Sequence, residues 1–352
     1  MHNEIEKLLI FDGIGGVPLG REMYEAFCAQ VVDAAYYDCA KLNKIDFYGA
    51  RSGFAKLVNR AEKADIFYHL PRLDLEAFKK IIAKEKPSHL LVIGFIYKFV
   101  SPEVLKQLSA DYNFKLFLYD TDSCNLYTKR REFVFFIENE LPIYDEIFSF
   151  SQVTTRFFRE TKKLKATFLP FGAKPLNLHP NITPQHDVLF VGSCDLRRIF
   201  LLEHIKDHVT IYGNRWTRNY PLISHDLKQK IHDQSVWGEA LHRTLQDAKI
   251  ILNITRGPFY GAETGVNLRI FEALAAGCFL LTDYCEELEE LFVVGEEIEV
   301  FRSASELAEK VDYYLKHPAR RIDIAKRGYE KFSQKHTWIN RINVLIERLG
   351  ST

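Results

Sequence analysis

The sequence predicts an α/β protein made of two doubly wound domains. Short apolar runs typical of buried strands alternate with amphipathic stretches typical of helices, first up to about residue 170 and again from about residue 186. The turn-rich segment 171–187, with Pro175, Pro180 and Pro184, separates the two series and is the best candidate for a linker. The 352 residues are enough for two domains of ordinary size.

Composition and charge argue against several classes of protein. The 47 basic and 47 acidic residues balance, which argues against a dominant nucleic-acid-binding or anionic-membrane surface and leaves room only for local basic patches. No apolar run has the length of a membrane span, and the acidic N-terminus is unlike a signal peptide. The six cysteines are scattered without a CxxC pair, so reduced thiols in a cytoplasmic protein are the simplest interpretation.

The first domain opens with a strand over Lys7–Phe11, a glycine-rich turn and a helix over Arg21–Ala29. In a doubly wound sheet this order places a ligand at the carboxyl end of the strand. The glycines miss the dinucleotide spacing. Gly15 and Gly16 either let the backbone approach a donor phosphate or an acceptor, or form a tight turn, and both interpretations stay open.

The rest of the first domain continues the alternation of strand and helix. Strands are predicted around 34–37, 64–70, 89–96 and 115–120, and helices over 56–63, 75–85 and 102–108. The strand KLFLYD delivers Asp120 to its carboxyl end, with Asp122 two residues later. A carboxylate there could act as a general base toward an acceptor hydroxyl, the pair could hold a divalent metal, or Asp122 or Ser123 could cap a helix.

The second domain opens with a strand over Asp187–Val191, a turn at Gly192 and Ser193, and a helix over 196–205. Gly192 allows the backbone to come close to a diphosphate, and Arg197 or Arg198 can neutralise the diphosphate charge. At least one of the two arginines is expected to be an ordinary helix arginine.

The segment Thr255–Asp283 reads as loop, helix and strand, and the chain is organised around it. Gly265 is among the glycines before the predicted helix Asn267–Ala276, whose unpaired N-terminal N–H groups can hold phosphate. Arg269 and Glu272 share a helix face, so one could balance phosphate charge and the other could bind a ribose diol. The alternative is a surface ion pair, but the combination of loop, helix and strand favours a site.

Three motifs, NLRIFEALAAGCFLLTD, FVGSCDLRR and HTWINR, carry a resemblance to a known family. With them the sequence resembles the CgeB-like, "glycosyl transferases group 1" branch of the GT-B glycosyltransferases, most strongly over 187–345. The resemblance implies the GT-B fold, with two Rossmann-like domains facing across a cleft. It implies an acceptor domain over 1–175, a donor domain over 186–335 and a terminal helix over 336–352 that crosses back to the first domain.

The resemblance also implies a function. The protein is expected to move a sugar from a nucleotide-diphosphate sugar, with a UDP-sugar as the expected donor, to the hydroxyl of a glycan, protein, lipid or small-molecule acceptor, without a metal or other cofactor. Arg197 takes the place of the basic residue that stabilises the leaving diphosphate, with Arg198 as the alternative. The base is expected near Tyr212, Gly213 and the end of the strand at Asn253 and Thr255.

One departure from the family pattern concerns the donor sugar. Retaining relatives carry two glutamates separated by seven intervening residues, and counting back from Glu272 in this way gives Thr264, while Glu263 is one residue away. Either a loop bulge restores the first acid or the acid is absent, and by resemblance we expect retention. A sugar-nucleotide epimerase using Asp120 and Asp122, or a catalytically idle spore or surface protein, are the alternatives.

Overall fold

The computed structural model of the chain describes residues 5–63, 66–123, 129–178 and 183–351. The chain divides into two compact units, the first formed by Met1–Pro170 with Arg341–Thr352 and the second by Phe171–Asn340. Each unit contains one six-stranded sheet. The predicted α/β class is therefore confirmed, whereas the predicted domain ranges remain predictions.

The sheet of the first unit is parallel, with the strand order β2-β1-β3-β4-β5-β6. Its strands are β1 (Leu8–Asp12), β2 (Ala34–Asp38), β3 (His89–Ile93), β4 (Lys115–Asp120), β5 (Glu146–Ser149) and β6 (Ala166–Phe168). Strands β1 and β3 are buried along their whole length, as expected for parallel strands covered on both faces. The chain reverses direction across the sheet between β1 and β3, which makes their carboxyl ends a topological switch point.

The helices of the first unit cover this sheet. They are α1 (Leu19–Ala29), α2 (Tyr48–Ala61), α3 (Leu75–Glu85), α4 (Pro102–Tyr112), α5 (Arg130–Phe135) and α6 (Gln152–Arg156), and α5 and α6 each continue into a π-helical turn, Phe136–Glu140 and Phe157–Thr161. The predicted strand over 64–70 is wrong for its described residues, 66–70. The Asn59 side chain bonds both the N–H and the carbonyl of Tyr68, so a side chain takes the place of a strand partner there.

The sheet of the second unit is also parallel, with the strand order β12-β11-β10-β7-β8-β9. Its strands are β7 (His186–Val191), β8 (Val209–Tyr212), β9 (Ile231–His232), β10 (Ala248–Asn253), β11 (Leu280–Asp283) and β12 (Glu299–Phe301). The chain moves from β7 to β8 and β9 on one side and returns to β10 on the other. The switch point of this unit therefore lies between the carboxyl ends of β7 and β10.

The helices of the second half of the chain are α7 (Leu196–Glu203), α8 (His225–Lys228), α9 (Gly238–Gln246), α10 (Gly257–Gly261), α11 (Leu268–Ala275), α12 (Glu287–Leu291), α13 (Ala304–Lys316), α14 (Pro318–Lys335) and α15 (Trp338–Ser351). Those that follow β7 and β10 carry most of the candidate site residues of this unit. In the described part of the chain, no helix combines the length and the apolar character that crossing a membrane requires. His336, between α14 and α15, packs its ring against Phe271 and Phe292.

Candidate active site

Two loops meet at the switch point of the second unit, one after β7 and one after β10. Arg256 donates from Nη2 to the hydroxyl of Ser193 over 3.1 Å, and Arg197 donates from Nη1 to the carbonyl of Thr255 over 3.0 Å. Both contacts join residues that are far apart in the sequence but follow neighbouring strands. The carboxyl edge of a doubly wound sheet is where such folds bind ligands, so these loops define the candidate site.

Arg197, near the start of α7, is held on two sides. Its Nη1 lies 2.6 Å from Oδ2 of Asp283, and its guanidinium lies 3.6 Å from the ring centroid of Tyr260. This stacking is a cation–π contact. The side chain is half-buried, and within the described residues only Nη1 donates hydrogen bonds. The arginine is therefore fixed in position while other N–H groups of its guanidinium stay available.

Asp283 is a residue of this site that the sequence analysis did not single out. It ends β11, is buried, and accepts hydrogen bonds from the backbone N–H and the hydroxyl of Thr255 as well as from Arg197. The signal was present in the sequence, because an aspartate ends the strand LLTD as Asp120 ends KLFLYD. Asp283 therefore connects the edge of β11 to both loops of the site.

Arg198 is buried, and its guanidinium bonds the backbone of the two loops. Its Nε and Nη2 donate to the carbonyl of Ile254, and its Nη1 donates to the carbonyl of Ser193. Burial lowers the pKa of this guanidinium to about 10. Arg198 thus holds the two loops together. These bonds agree with a structural role for Arg198, and its role in donor binding stays a prediction.

Gly192 and Gly213 allow two turns to pack against each other. A Cβ atom on Gly213, where φ is +148°, would lie 1.9 Å from the carbonyl oxygen of Gly192. The indole of Trp216 donates to that same oxygen over 3.0 Å. Tyr212, half-buried, stacks on the ring of His232 with centroids 4.6 Å apart. Gly192 and Gly213 therefore allow close packing of the two turns. The ring of Tyr212, which precedes Gly213, is partly accessible to solvent.

The N-terminus of α11 is capped by Asn267. Its side-chain oxygen accepts the backbone N–H of Arg269 over 3.1 Å, and its amide donates to the carbonyl of Gly265 over 3.2 Å. A Cβ atom on Gly265 would lie 2.9 Å from Oγ1 of Thr255, so a glycine is needed for this approach. The loop before α11 is in this way fastened to the loop after β10.

Arg269 and Glu272 share one face of α11, as their spacing predicts. Nη1 of Arg269 lies 2.7 Å from Oε2 of Glu272 and both side chains are largely buried. This contact is an ion pair, and Nε of Arg269, which is also buried, has no hydrogen-bond partner among the described residues. Burial raises the pKa of Glu272, and the charge of Arg269 opposes that rise. A buried arginine Nε–H without a hydrogen-bond partner, beside a helix N-terminus, suits an anionic ligand.

Asn253 and Thr255 support the site from inside the sheet. The amide of Asn253 donates to the hydroxyl of Thr282 over 2.9 Å, and Thr255 is bonded to Asp283. Both side chains are buried. Their predicted contact with the base of a nucleotide stays a prediction, while their role in holding adjacent strand ends is visible.

The position of the missing first glutamate is occupied by an inward-facing threonine. Thr264 is buried, and its hydroxyl donates to Oε2 of Glu287 over 2.7 Å. Glu263, one residue earlier, is exposed and has a positive φ of 58°. The loop therefore turns Thr264 toward α12 and Glu263 toward solvent.

In the first unit the predicted residues lie on two separate strand ends. Asp120 is buried, and its oxygens accept hydrogen bonds from the hydroxyls of Ser123 and Ser149. Burial raises the pKa of Asp120, and these hydroxyls oppose the rise. Asp122 is half-buried. Their catalytic role stays a prediction, for which Asp122 is the more accessible of the two.

Gly15 and Gly16 form the turn after β1. Both have a positive φ, 62° and 78°. Asp12, at the end of β1, accepts the backbone N–H of Ile14 over 3.0 Å and the hydroxyl of Tyr36 over 2.8 Å. A tight turn explains both glycines, because glycine adopts positive φ without steric cost. A contact of either glycine with a donor or an acceptor stays a prediction.

Comparison with known proteins agrees with this geometry. Residues 197–347 match the family model described as "Glycosyl transferase-like". Among solved structures, the chain is similar to sucrose-phosphate synthase from Thermosynechococcus elongatus, at 14% identity over 98% of this chain and 99% of that chain, with a TM-score of 0.63. It is also similar to Anabaena HepE in complex with UDP and glucose, at 11% identity over 98% and 100% of the two chains, with a TM-score of 0.63.

A third similar structure is a glycosyltransferase from Rickettsia africae, at 12% identity over the full length of both chains and a TM-score of 0.59. No curated protein sequence matches the chain significantly. The two six-stranded parallel sheets and these neighbours define the fold as GT-B. Within it, the chain carries a glycosyltransferase-like domain over residues 197–347, which confirms the predicted enzyme class, glycosyltransferase. The CgeB-like subgroup remains a prediction.

Proposed function

We propose that this protein transfers a sugar from a UDP-sugar to an acceptor hydroxyl. The observation that carries the proposal is the buried guanidinium of Arg269, whose Nε has no hydrogen-bond partner among the described residues, beside the capped N-terminus of α11 within the glycosyltransferase-like domain. The choice of UDP is supported by HepE, whose structures contain UDP and UDP-glucose. The proposal assigns the donor to the second unit.

Each polar group of the site has a role in this proposal. Arg269 binds the diphosphate through its buried Nε–H, and the N-terminus of α11 beside it favours negative charge. Glu272 accepts hydrogen bonds from the ribose hydroxyls when Arg269 is engaged by phosphate. Tyr212, whose half-buried ring lies at the end of β8 and stacks on His232, contacts the base of the nucleotide.

Arg197 is proposed to stabilise the leaving UDP. As the bond between the anomeric carbon and the diphosphate breaks, negative charge grows on the phosphate oxygen, and a fixed guanidinium lowers the energy of that state. Asp283 and Tyr260 hold Arg197 before the donor arrives, so little reorganisation is needed. Two arginines supply the positive charge that the diphosphate requires, which supports a metal-independent reaction.

The acceptor is proposed to bind the first unit, and Asp122 is the candidate base there because it is more accessible than Asp120. Alignment of the acceptor oxygen with the anomeric carbon is the second requirement of the reaction. Retention of the anomeric configuration is proposed from the family resemblance. The proton NMR spectrum of the product distinguishes the α-anomer from the β-anomer directly and so tests retention.

The first test is ligand-dependent thermal unfolding with UDP-, GDP-, TDP- and CMP-sugars, with and without a chelator. A ligand that binds the folded state at about 100 times its Kd stabilises it by about 2.7 kcal/mol. We expect a rise in Tm with UDP-sugars that the chelator does not change. No rise with any nucleotide sugar contradicts the proposed function, and a rise only with another base contradicts the choice of UDP.

Two variants make this test specific to the site. Arg269→Ala is expected to abolish most of the UDP-dependent rise in Tm. Arg243→Ala is the matched control, because Arg243 is an exposed helix arginine on α9. A change of the sugar configuration without an acceptor, in which the product is still a UDP-sugar and no UDP accumulates, would instead support an epimerase. The two serine hydroxyls on Asp120 argue against its use as an epimerase carboxylate.

A further inference from the structure

Helix α2 of the first unit turns an apolar stripe toward solvent. None of its residues is buried. Phe54 and Leu57 are 70% and 64% exposed, and Ala50 and Ala61 are exposed on the same side. Residues at these spacings fall on one face of a helix, so the four side chains form a continuous strip of apolar surface. A helix in a monomeric enzyme normally turns such a face toward the core.

Phe47 extends this stripe at the N-terminal end of α2. Its side chain is 85% exposed, and its backbone has a φ of 54°. A bulky residue with positive φ is uncommon, because the left-handed region is unfavourable for side chains with a Cβ. An exposed aromatic ring is therefore held at a position where the backbone conformation is costly for a residue with a Cβ.

Basic side chains flank the stripe. Arg51, Lys56 and Arg60 are exposed, and α2 contains no acidic residue. At 3.6 residues per turn, Lys56 and Arg60 lie on one side of Phe54 and Leu57, and Arg51 lies on the other. Within the ranges that the structure describes, none of the three is ion-paired. Their charge is therefore available to a partner.

Polar contacts attach the inner side of α2 to the unit. The amide of Asn59 donates to the carbonyl of Tyr68 over 2.6 Å and its oxygen accepts the N–H of Tyr68 over 2.8 Å. Arg131 donates to the carbonyls of Asn59 and Glu62, over 2.9 and 2.7 Å. The helix is thus fastened without the exposed stripe, so substitutions in the stripe leave its attachment intact.

We propose that α2 docks the protein on an anionic lipid surface. Apolar side chains flanked by lysine and arginine are the pattern of a helix that lies in the plane of a membrane interface, with its apolar face among the acyl chains and its basic groups at the headgroups. The charge is local, because the whole chain has a formal net charge of +0. The proposal goes beyond sugar transfer and does not depend on it.

The proposal is tested by co-sedimentation of the full chain with vesicles of phosphatidylcholine alone and of phosphatidylcholine mixed with phosphatidylglycerol. We expect binding to the anionic vesicles that weakens with added salt. Each basic residue near an anionic surface contributes about fivefold in affinity, so Lys56→Glu with Arg60→Glu lowers the partition coefficient at least about 25-fold. Phe54→Ser with Leu57→Ser removes inserted apolar surface and lowers it at least about tenfold.

Matched controls carry the same changes elsewhere on the surface. Ile322→Ser alters an equally exposed side chain, 63%, on α14, and Lys106→Glu with Lys316→Glu changes the net charge by the same amount. These variants are expected to bind as the unaltered protein does. Circular dichroism and Tm confirm that all variants are folded.

Three results overturn the proposal. The first is absence of binding to the anionic vesicles, and the second is equal binding to vesicles with and without phosphatidylglycerol. The third is a change of oligomeric state, measured by light scattering, that appears when Phe54 and Leu57 are replaced, because this face would then be an interface between copies of the chain.

Discussion

Nη1 of Arg197 lies 2.6 Å from Oδ2 of Asp283, a residue 86 positions further along the chain. The contact connects the first turn of α7 to the end of β11, and the same carboxylate holds Thr255 at the end of β10. One buried aspartate therefore positions both the arginine proposed to act on the diphosphate and the loop that leads to α11. Asp283 is a positioning residue in this proposal, because it touches Arg197 and not the donor.

Replacing Asp283 with asparagine is expected to lower kcat more than it weakens donor binding. The shape of the side chain is kept, but the negative charge that fixes Arg197 is lost. Removing one preorganised transition-state donor lowers kcat by a factor of about 10²–10³. We therefore expect a loss of this size for Arg197→Ala and a smaller loss for Asp283→Asn, in which Arg197 is present but less firmly held. The measurement is kcat and KM for the single and double variants.

Because Asp283 is proposed to act through Arg197, the two substitutions should not be additive. The double variant is expected to be about as active as Arg197→Ala alone. An Asp283→Asn enzyme with unchanged kcat, or strictly additive losses, would contradict the positioning role.

Replacing Glu272 with glutamine is expected to weaken donor binding through the ribose. Hydrogen bonds to a charged group are worth about 1.5–3 kcal/mol, so Kd for a UDP-sugar should rise by about 10-fold to 150-fold. Isothermal titration with UDP and 2′-deoxy-UDP measures this directly. The unaltered protein should discriminate between the two ligands, and Glu272→Gln should do so much less.

The control for this experiment is Glu309→Gln, which changes an exposed glutamate on α13 and should leave both affinities unchanged. If Glu272→Gln kept full discrimination against the deoxy ligand, Glu272 would have no contact with the ribose, and its ion pair with Arg269 would be its only role.

Gly213→Ala is expected to destabilise the second unit by about 2–4 kcal/mol. The added Cβ would overlap the carbonyl oxygen of Gly192 at 1.9 Å, which is backbone and has little freedom to move. Urea unfolding measures the loss. Gly261→Ala is the matched control, because no atom lies within 4 Å of its added Cβ, and it should change stability by less than about 1 kcal/mol. Equal stabilities of the two variants would show that the turns are free to separate.

Glu140 predicts a pH dependence of stability in the first unit. It is fully buried, and burial raises the pKa of its carboxyl group to about 7 from an ordinary value of 4.5. The folded state then binds more protons than the unfolded state between pH 4.5 and 7. Stability is therefore highest below pH 4.5 and falls as pH rises toward 7, by about 3 kcal/mol for this group.

The measurement is the free energy of unfolding of the unaltered protein and of Glu140→Gln at several values of pH. Groups common to both proteins cancel in the difference, which isolates Glu140. The advantage of the unaltered protein over Glu140→Gln should shrink as pH rises from 4.5 to 7. A difference that is constant with pH, or that grows toward neutral pH, would mean that the backbone N–H groups of Ile96 and Tyr97, which bond this carboxyl, keep it ionised throughout.

Several local features of the candidate site were predictable from neighbouring residues. The helix, predicted over Asn267–Ala276 and found over Leu268–Ala275, and the shared face of Arg269 and Glu272 both follow from spacing and residue type. In contrast, the predicted strand over 64–70 rested on apolar composition alone, and in its described part, 66–70, two hydrogen bonds between Asn59 and Tyr68 are found in place of strand pairing. The local pattern fails to predict the structure there because a β-strand needs a neighbouring strand to pair with, and that neighbour is not recorded in the residues of the segment itself.

The sequence by itself determined the two series of alternating strands and helices and the residues that share a helix face, because these depend on residues a few positions apart. Only the tertiary structure decided that Arg198 turns inward to Ile254, that Thr264 bonds Glu287, and that Asp283 holds Arg197. These contacts join segments that come together at the carboxyl edge of one sheet. Their geometry depends on the sheet as a whole, so no local pattern in the chain records it.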